Sequence, residues 1–192
     1  MTPGWPVKSG AEATKPTTLT MRVMRSSEPI APSSAASALS TQARESWCAS
    51  SAETSAPTLP VAAYVPAIVT GNLVFTAGQL PFVDGKLAAT GKVGAEVSAD
   101  DAAKLARTCV LNALAAASSV IGSLDRVTRV VKVVGFVASA PDFTGQPGVM
   151  NGASELLGEI FGDAGRHARS AVGVAVLPLD APVEVELIVE FA

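Results

Sequence analysis

Ala168-Arg169-Ser170-Ala171-Val172-Gly173-Val174-Ala175-Val176-Leu177-Pro178, continued by Leu179-Asp180-Ala181-Pro182-Val183-Glu184-Val185-Glu186-Leu187-Ile188-Val189-Glu190, is the stretch from which the fold can be read. Both halves are Val-rich, and Leu-Pro-Leu-Asp-Ala-Pro between them cannot continue a strand. The expectation is a pair of β-strands joined by a short turn as a hairpin. The second strand alternates: Val183, Val185, Leu187, Val189 and Phe191 face one way, and Glu184, Glu186, Ile188 and Glu190 face the other. An arginine opens the first strand, and carboxylates line one face of the second. A planar guanidinium can grip a carboxylate with two hydrogen bonds, and a carboxylate can orient a water.

Working back along the chain, Val127 to Ser139 reads as a central strand with apolar residues on both faces. Two helices flank it. The first is expected from Ala99 to Ile121, with Ser98 as N-cap, Asp100 and Asp101 in the first turn, and a stripe through Leu105, Cys109 or Val110, Leu114, Ala117 and Ile121. The second is expected from Pro147 to Phe161, with Val149, Leu156, Leu157 and Ile160 inward. Ahead of them, Ala67 to Thr70 and Leu73 to Thr76 read as strands around a Gly71-Asn72 turn, and Val83 to Leu87 as a further turn. The order β-β-(β)-α-β-α-β-β gives an α+β single domain in which two helices pack on one face of a mixed sheet. The other face then carries Ile188 among glutamates and half of a Val-rich strand, a surface suited to burial against another copy.

Residues 1–56 differ in kind. Ser, Thr, Ala and Pro fill 36 of the first 60 positions without helical or strand period, so this extension is expected to be disordered ahead of a domain over 57–192. A transit peptide, a linker tail and an upstream extension from a misassigned start remain open for it, the last two preferred. Glu12, Glu28, Glu45 and Glu53 are unwelcome in a transit peptide, and no apolar stretch follows a basic start as in a secretory signal.

The chain has a formal net charge of -3, 5% aromatic residues, two cysteines and one histidine. An acidic chain without a basic stripe is a poor electrostatic partner for nucleic acid. Cys48 and Cys109 are far apart in unlike surroundings, which points to a reducing compartment and a cytoplasmic location, with an organelle as the alternative if 1–56 is a transit peptide. Cys109, on the apolar side of its helix, reads as a buried inert thiol rather than a nucleophile. With His167 the sole histidine and no Cys-x-x-Cys, no metal site is expected, and no stretch reaches the roughly 20 uninterrupted apolar residues of a membrane span.

Two motifs carry a family resemblance. Arg169-Ser170, Leu177-Pro178-x-Asp180 and Val183-Glu184-Val185-Glu186 resemble the C-terminal signature of the RidA (YjgF/YER057c) family. Gly71-Asn72-Leu73-Val74-Phe75-Thr76-Ala77-Gly78-Gln79-Leu80-Pro81 resembles its N-terminal signature. The resemblance spans about 57–192 and implies a chorismate mutase-like fold, a homotrimer with sites between subunits, and hydrolysis of 2-imino or enamino acids to 2-keto acids and ammonia without cofactor. It also implies residue roles. Arg169 takes the place of the arginine that binds the substrate carboxylate, and Glu184 that of the acid that orients water. Tyr64 matches a tyrosine that closes the pocket from the neighbouring subunit, Gly78 a glycine whose backbone faces the ligand, and Asn151 an asparagine that fixes local geometry. Ala171 stands where the family often has cysteine, and Ala77 where it commonly has serine, so the site is more apolar and its substrate preference is expected to differ. A trimer that binds a small carboxylate metabolite without turnover is the alternative. A ribonuclease, the activity in the name that some relatives carry, is disfavoured by the acidic charge, the single histidine and the few aromatics.

Overall fold

The computed structural model describes residues 63–192. Cys48, the Ser/Thr/Ala/Pro-rich segment and the boundary expected near Pro57 lie outside the described residues. Strands β1 (Ala67–Thr70) and β2 (Leu73–Thr76) come first, then a ribbon of β3 (Phe82–Val83) and β4 (Lys86–Leu87). Helix α1 (Ala99–Ile121), strand β5 (Val127–Ala138), helix α2 (Gln146–Phe161), and strands β6 (Ala168–Val174) and β7 (Val183–Phe191) complete the order. Both turns follow from local chemistry. Gly71 has φ 58°, and Asp84 and Gly85 have φ 50° and 73°, the left-handed pair that a two-residue hairpin loop requires. The sequence reading has at most one strand around Asp84-Gly85, and the structure has two short ones.

One five-stranded sheet runs in the order β1-β2-β7-β5-β6. β5 and β6 are parallel, and the other neighbours are antiparallel. This corrects the C-terminal hairpin: β6 and β7 do not pair with each other, because β5 lies between them. β6 follows a helix that crosses back over the sheet, so it adds to β5 in parallel, as a β-α-β unit does. The chain then steps over the end of β5 to reach its other edge. That step uses a 3-10 turn at Pro178–Asp180, with Leu179 and Asp180 both at φ 57°. Ser139 N–H donates to Val174 O at 3.1 Å and Ala138 N–H to Pro182 O at 2.9 Å, so the end of β5 is bonded to both flanks of the crossing.

Both helices cover one sheet face. Ser98 Oγ accepts from Asp101 N–H at 3.1 Å and caps α1, which Gly122 ends at φ 87°. Ala102, Ala106, Cys109, Ala113 and Ala117 recur at three and four along α1 and are buried, while Leu105 is only partly buried at the stripe's margin. Small side chains bring α1 close to its neighbours: a Cβ on Gly152 of α2 would stand 2.2 Å from Ala103 O. Val183, Val185, Leu187 and Val189 of β7 meet the helices together with Val130, Val133 and Val137 of β5. Burial of each such side chain is worth about 1.5–3 kcal/mol. Glu184, Glu186, Ile188 and Glu190 lie on the opposite, uncovered face, as the alternation predicts. Ile68 and Phe75 are registered beside Ile188, and Phe136 and Val172 sit in one row with Glu184, so this face carries apolar side chains interspersed with the acids, Lys132 and Ser170.

Candidate functional site

β6 registers Arg169 beside Val133, so its side chain leaves the sheet on the helix side, towards α2. There its guanidinium is held at three points. Nη1 donates to Asn151 Oδ1 at 3.0 Å and to Ser154 Oγ at 2.9 Å, and Nη2 donates to Pro147 O at 3.2 Å. Asn151 and Ser154 are three residues apart on α2 and share a face of it. Asn151 therefore sits in the second turn of the helix rather than at its start, and touches the arginine directly. A guanidinium has five N–H donors. Three are used here, which leaves two with no partner among the described residues. Beside the fork lies an open cavity of about 360 Å³ lined by Ser154, Gly158, Gly162, Gly165, Arg166, His167 and Arg169. Ala171, two residues on, leaves β6 on the same side as Arg169 and packs against the core.

Glu184 lies in another environment. It is registered beside Phe136 and leaves β7 on the uncovered face, half-buried. Burial, and after it the charge of Glu186, pushes its carboxyl above the ordinary value of 4.5. Gly78 is what gives the side chain room: a Cβ there would be 1.6 Å from Glu184 Oε1. The loop after β2 is tied to this point, because Gln79 N–H donates to Val185 O at 2.9 Å and Val185 N–H to Gln79 O at 3.0 Å. Ala77 N–H also donates to Pro66 O at 2.8 Å, so the segment leaving Tyr64 runs beside the same loop. Tyr64 itself is half exposed.

The six candidate residues thus fall into two groups. Arg169, Asn151 and Ala171 belong to the β6–α2 edge, and Gly78, Glu184 and Tyr64 to the β1–β2–β7 side. Arg169 and Glu184 leave opposite faces of one sheet, and the strand after Tyr64 lies four strand spacings, roughly 19 Å, from β6. No single chain brings the two groups together.

Ser154 and His167 are site residues that the sequence reading did not single out as such. The i,i+3 spacing of Asn151 and Ser154 was the available signal for the first. His167 lies two residues before Arg169, and only the fold turns it towards α2. Cys109 is fully buried, its Sγ 3.7 Å from Val183 O, and burial raises its thiol well above the ordinary value, which makes it the inert core thiol expected. Among the described residues, no three His, Cys, Asp or Glu side chains form a group that could hold a metal ion.

Residues 47–191 match the family model described as "YjgF/chorismate_mutase-like, putative endoribonuclease". Protein TCP17 of Trypanosoma cruzi is 45% identical over 132 residues, 68% of this chain and 82% of that protein. The crystal structure of Atu1372, a protein of unknown function from Agrobacterium tumefaciens, is 43% identical with a TM-score of 0.70, over 81% of this chain and 96% of that one. A "putative endoribonuclease" from Shewanella oneidensis MR-1 is 31% identical with a TM-score of 0.72, over 77% of this chain and 99% of that one. This kinship fits a role in small-metabolite chemistry. With the β-β-α-β-α-β-β order of the five-stranded sheet and its helices, the mixed sheet and both signature motifs, these matches show that the chain belongs to the YjgF/RidA family.

Proposed function

We propose that this protein hydrolyses reactive 2-imino acids, and their enamine tautomers, to 2-keto acids and ammonia, at sites shared between the subunits of a homotrimer. The observation that carries the reading is the Arg169 guanidinium, held by Asn151, Ser154 and Pro147 with two N–H donors to spare. A pre-positioned fork of this kind takes a carboxylate with two charge-assisted hydrogen bonds. The substrate carboxylate docks on Arg169 and fixes the imine carbon beside it. Glu184, from the neighbouring subunit, accepts a proton from water as the oxygen adds to that carbon. Glu184 returns that proton to the nitrogen to complete the carbinolamine, a second proton moves from the carbinolamine hydroxyl to the nitrogen, the C–N bond breaks, and ammonia leaves with the 2-keto acid. Its raised carboxyl pKa makes Glu184 a stronger base than an exposed glutamate.

The placement of Arg169 and Glu184 on opposite faces of the sheet supports the sharing of sites, as does the apolar uncovered face around Ile68, Phe75 and Ile188. Such a face favours burial against further copies. The reaction needs no cofactor, and the reading places the protein in the cytoplasm, where pyridoxal-phosphate enzymes release such imines.

The test is a coupled assay in which an amino-acid oxidase generates 2-iminopropanoate or 2-iminobutanoate in situ. Wild-type protein should speed keto-acid formation, and Arg169→Ala should lower kcat/KM by about 100-fold or more, the loss of two charge-assisted hydrogen bonds. Glu184→Gln should abolish turnover while keeping 2-keto acid binding. Binding without turnover in the wild type would instead mark a metabolite-binding protein.

A further inference from the structure

With the His167 imidazole neutral, the hydrogen bonds beyond Arg169 have only one consistent direction. His167 Nδ1 lies 2.6 Å from Gly165 O, and a carbonyl oxygen only accepts, so Nδ1 carries a proton. In the neutral ring Nε2 is then an acceptor, and it lies 3.0 Å from Ser154 Oγ. The Ser154 hydroxyl must spend its one proton on that nitrogen. Its oxygen is left with lone pairs only, and these face Arg169 Nη1 at 2.9 Å. Guanidinium donates to hydroxyl and hydroxyl to imidazole, while imidazole donates to the backbone carbonyl. Each bond in such a chain polarises the next.

We propose that His167 is the positioning residue of the carboxylate site, acting through Ser154 to hold the Arg169 fork in its binding pose. The proposal rests on the carboxylate-binding reading of Arg169 and extends it to residues in which no family role has been invoked. A serine inside a helix has a competing partner, the carbonyl four residues before it, here that of Met150. His167 draws the Ser154 proton away from that alternative and leaves the oxygen as an acceptor for the arginine. Nη1 is then engaged on both of its hydrogens, by Asn151 and by Ser154. The fork cannot turn without breaking both bonds, and its remaining donors keep one orientation beside the cavity.

The test compares Ser154→Ala, His167→Phe and His167→Gln in the full chain. Phenylalanine keeps the ring volume and loses both hydrogen bonds. The glutamine amide oxygen can reach the place of Nε2 and still accept from Ser154. The first readout needs no ligand: the Arg169 side-chain N–H resonances in a 1H–15N spectrum, distinct when the guanidinium is held and averaged when it rotates. The second is the Kd for 2-oxobutanoate. Ser154→Ala and His167→Phe should average the Arg169 signals and weaken 2-oxobutanoate by about tenfold, the loss of one hydrogen bond to a charged group. His167→Gln should keep the signals distinct and the Kd within about twofold of wild type, on the ordinary strength of a replaced neutral bond. Distinct Arg169 signals in folded His167→Phe would overturn the positioning role. A wild type that binds no 2-oxobutanoate would sink the carboxylate reading instead, and the resonances would still decide whether His167 holds the arginine.

Discussion

Gly78→Ala is a small change with a large expected effect on turnover and almost none on folding. The Cβ would be placed 1.6 Å from Glu184 Oε1, where an unstrained contact is about 3.4 Å. The carboxylate must therefore retreat by roughly 1.8 Å, the difference between those distances. The retreat is possible because the obstructing atom is the end of a flexible side chain, and the residue's φ lies outside the glycine-only region. Its cost, about 0.5–1.5 kcal/mol for an off-rotamer glutamate, is close to the 0.4–1 kcal/mol that alanine contributes by restricting the unfolded chain. The melting temperature should move by no more than a few degrees. Turnover depends on geometry far more steeply, since about 1 Å of misplacement can cost 100-fold. The variant should lose about two orders of magnitude in kcat in the imine-coupled assay, with near-wild-type Kd for 2-oxobutanoate and near-wild-type circular dichroism. A folded Gly78→Ala protein with wild-type kcat would refute the assignment of Glu184 as the group that positions water.

Gly152→Ala tests the packing of the two helices, because its Cβ would stand 2.2 Å from the backbone oxygen of Ala103, which cannot swing aside. The helices must separate, and thermal unfolding should show a loss of about 2 kcal/mol, within the range for overpacked cores. Glu184→Gln tests the electrostatics of the uncovered face. A carboxyl whose pKa is raised by folding binds more protons in the folded state, so its contribution is complete below the ordinary value of 4.5 and is lost as pH rises through the raised one. The glutamine variant should therefore melt above wild type at pH 7, and the gain should shrink as pH falls through the raised value towards 4.5 and be gone below it; a gain that stays constant from pH 7 to below 4.5 would contradict the raised carboxyl. For the same reason the acid limb of wild-type kcat should lie above the range of an exposed glutamate, as a pH–rate profile would show.

Much of the fold was legible because its elements announce their period. The β7 alternation placed Val183, Val185, Leu187, Val189 and Phe191 inward and the acids outward, and Ser98 with Gly122 bounded α1. The pairing of β6 was not legible. A Val-rich run fits a hairpin with β7 and a parallel pairing with β5 equally well. The choice is made by α2, which delivers β6 to the free edge of β5, and by the turn at Leu179 and Asp180. For the site, the motifs drew attention to Arg169 and Glu184, but their facing depends on that pairing. The sequence gives no hint that the two residues leave opposite faces. Ser154 and His167 were missed because a helical serine and an isolated histidine mean little until the backbone carbonyl of Gly165 fixes which ring nitrogen donates.

Mixed trimers test the shared site most directly. Arg169→Ala and Glu184→Gln chains should each be inactive alone. In a closed three-subunit ring co-refolded from equal amounts of both, three-quarters of the trimers contain both chains, and each of these has one of its three interfaces carrying both native residues. Activity should return to about a quarter of wild type on that statistical basis. No recovery from trimers shown to contain both chains would contradict a site built from Arg169 of one subunit and Glu184 of the next.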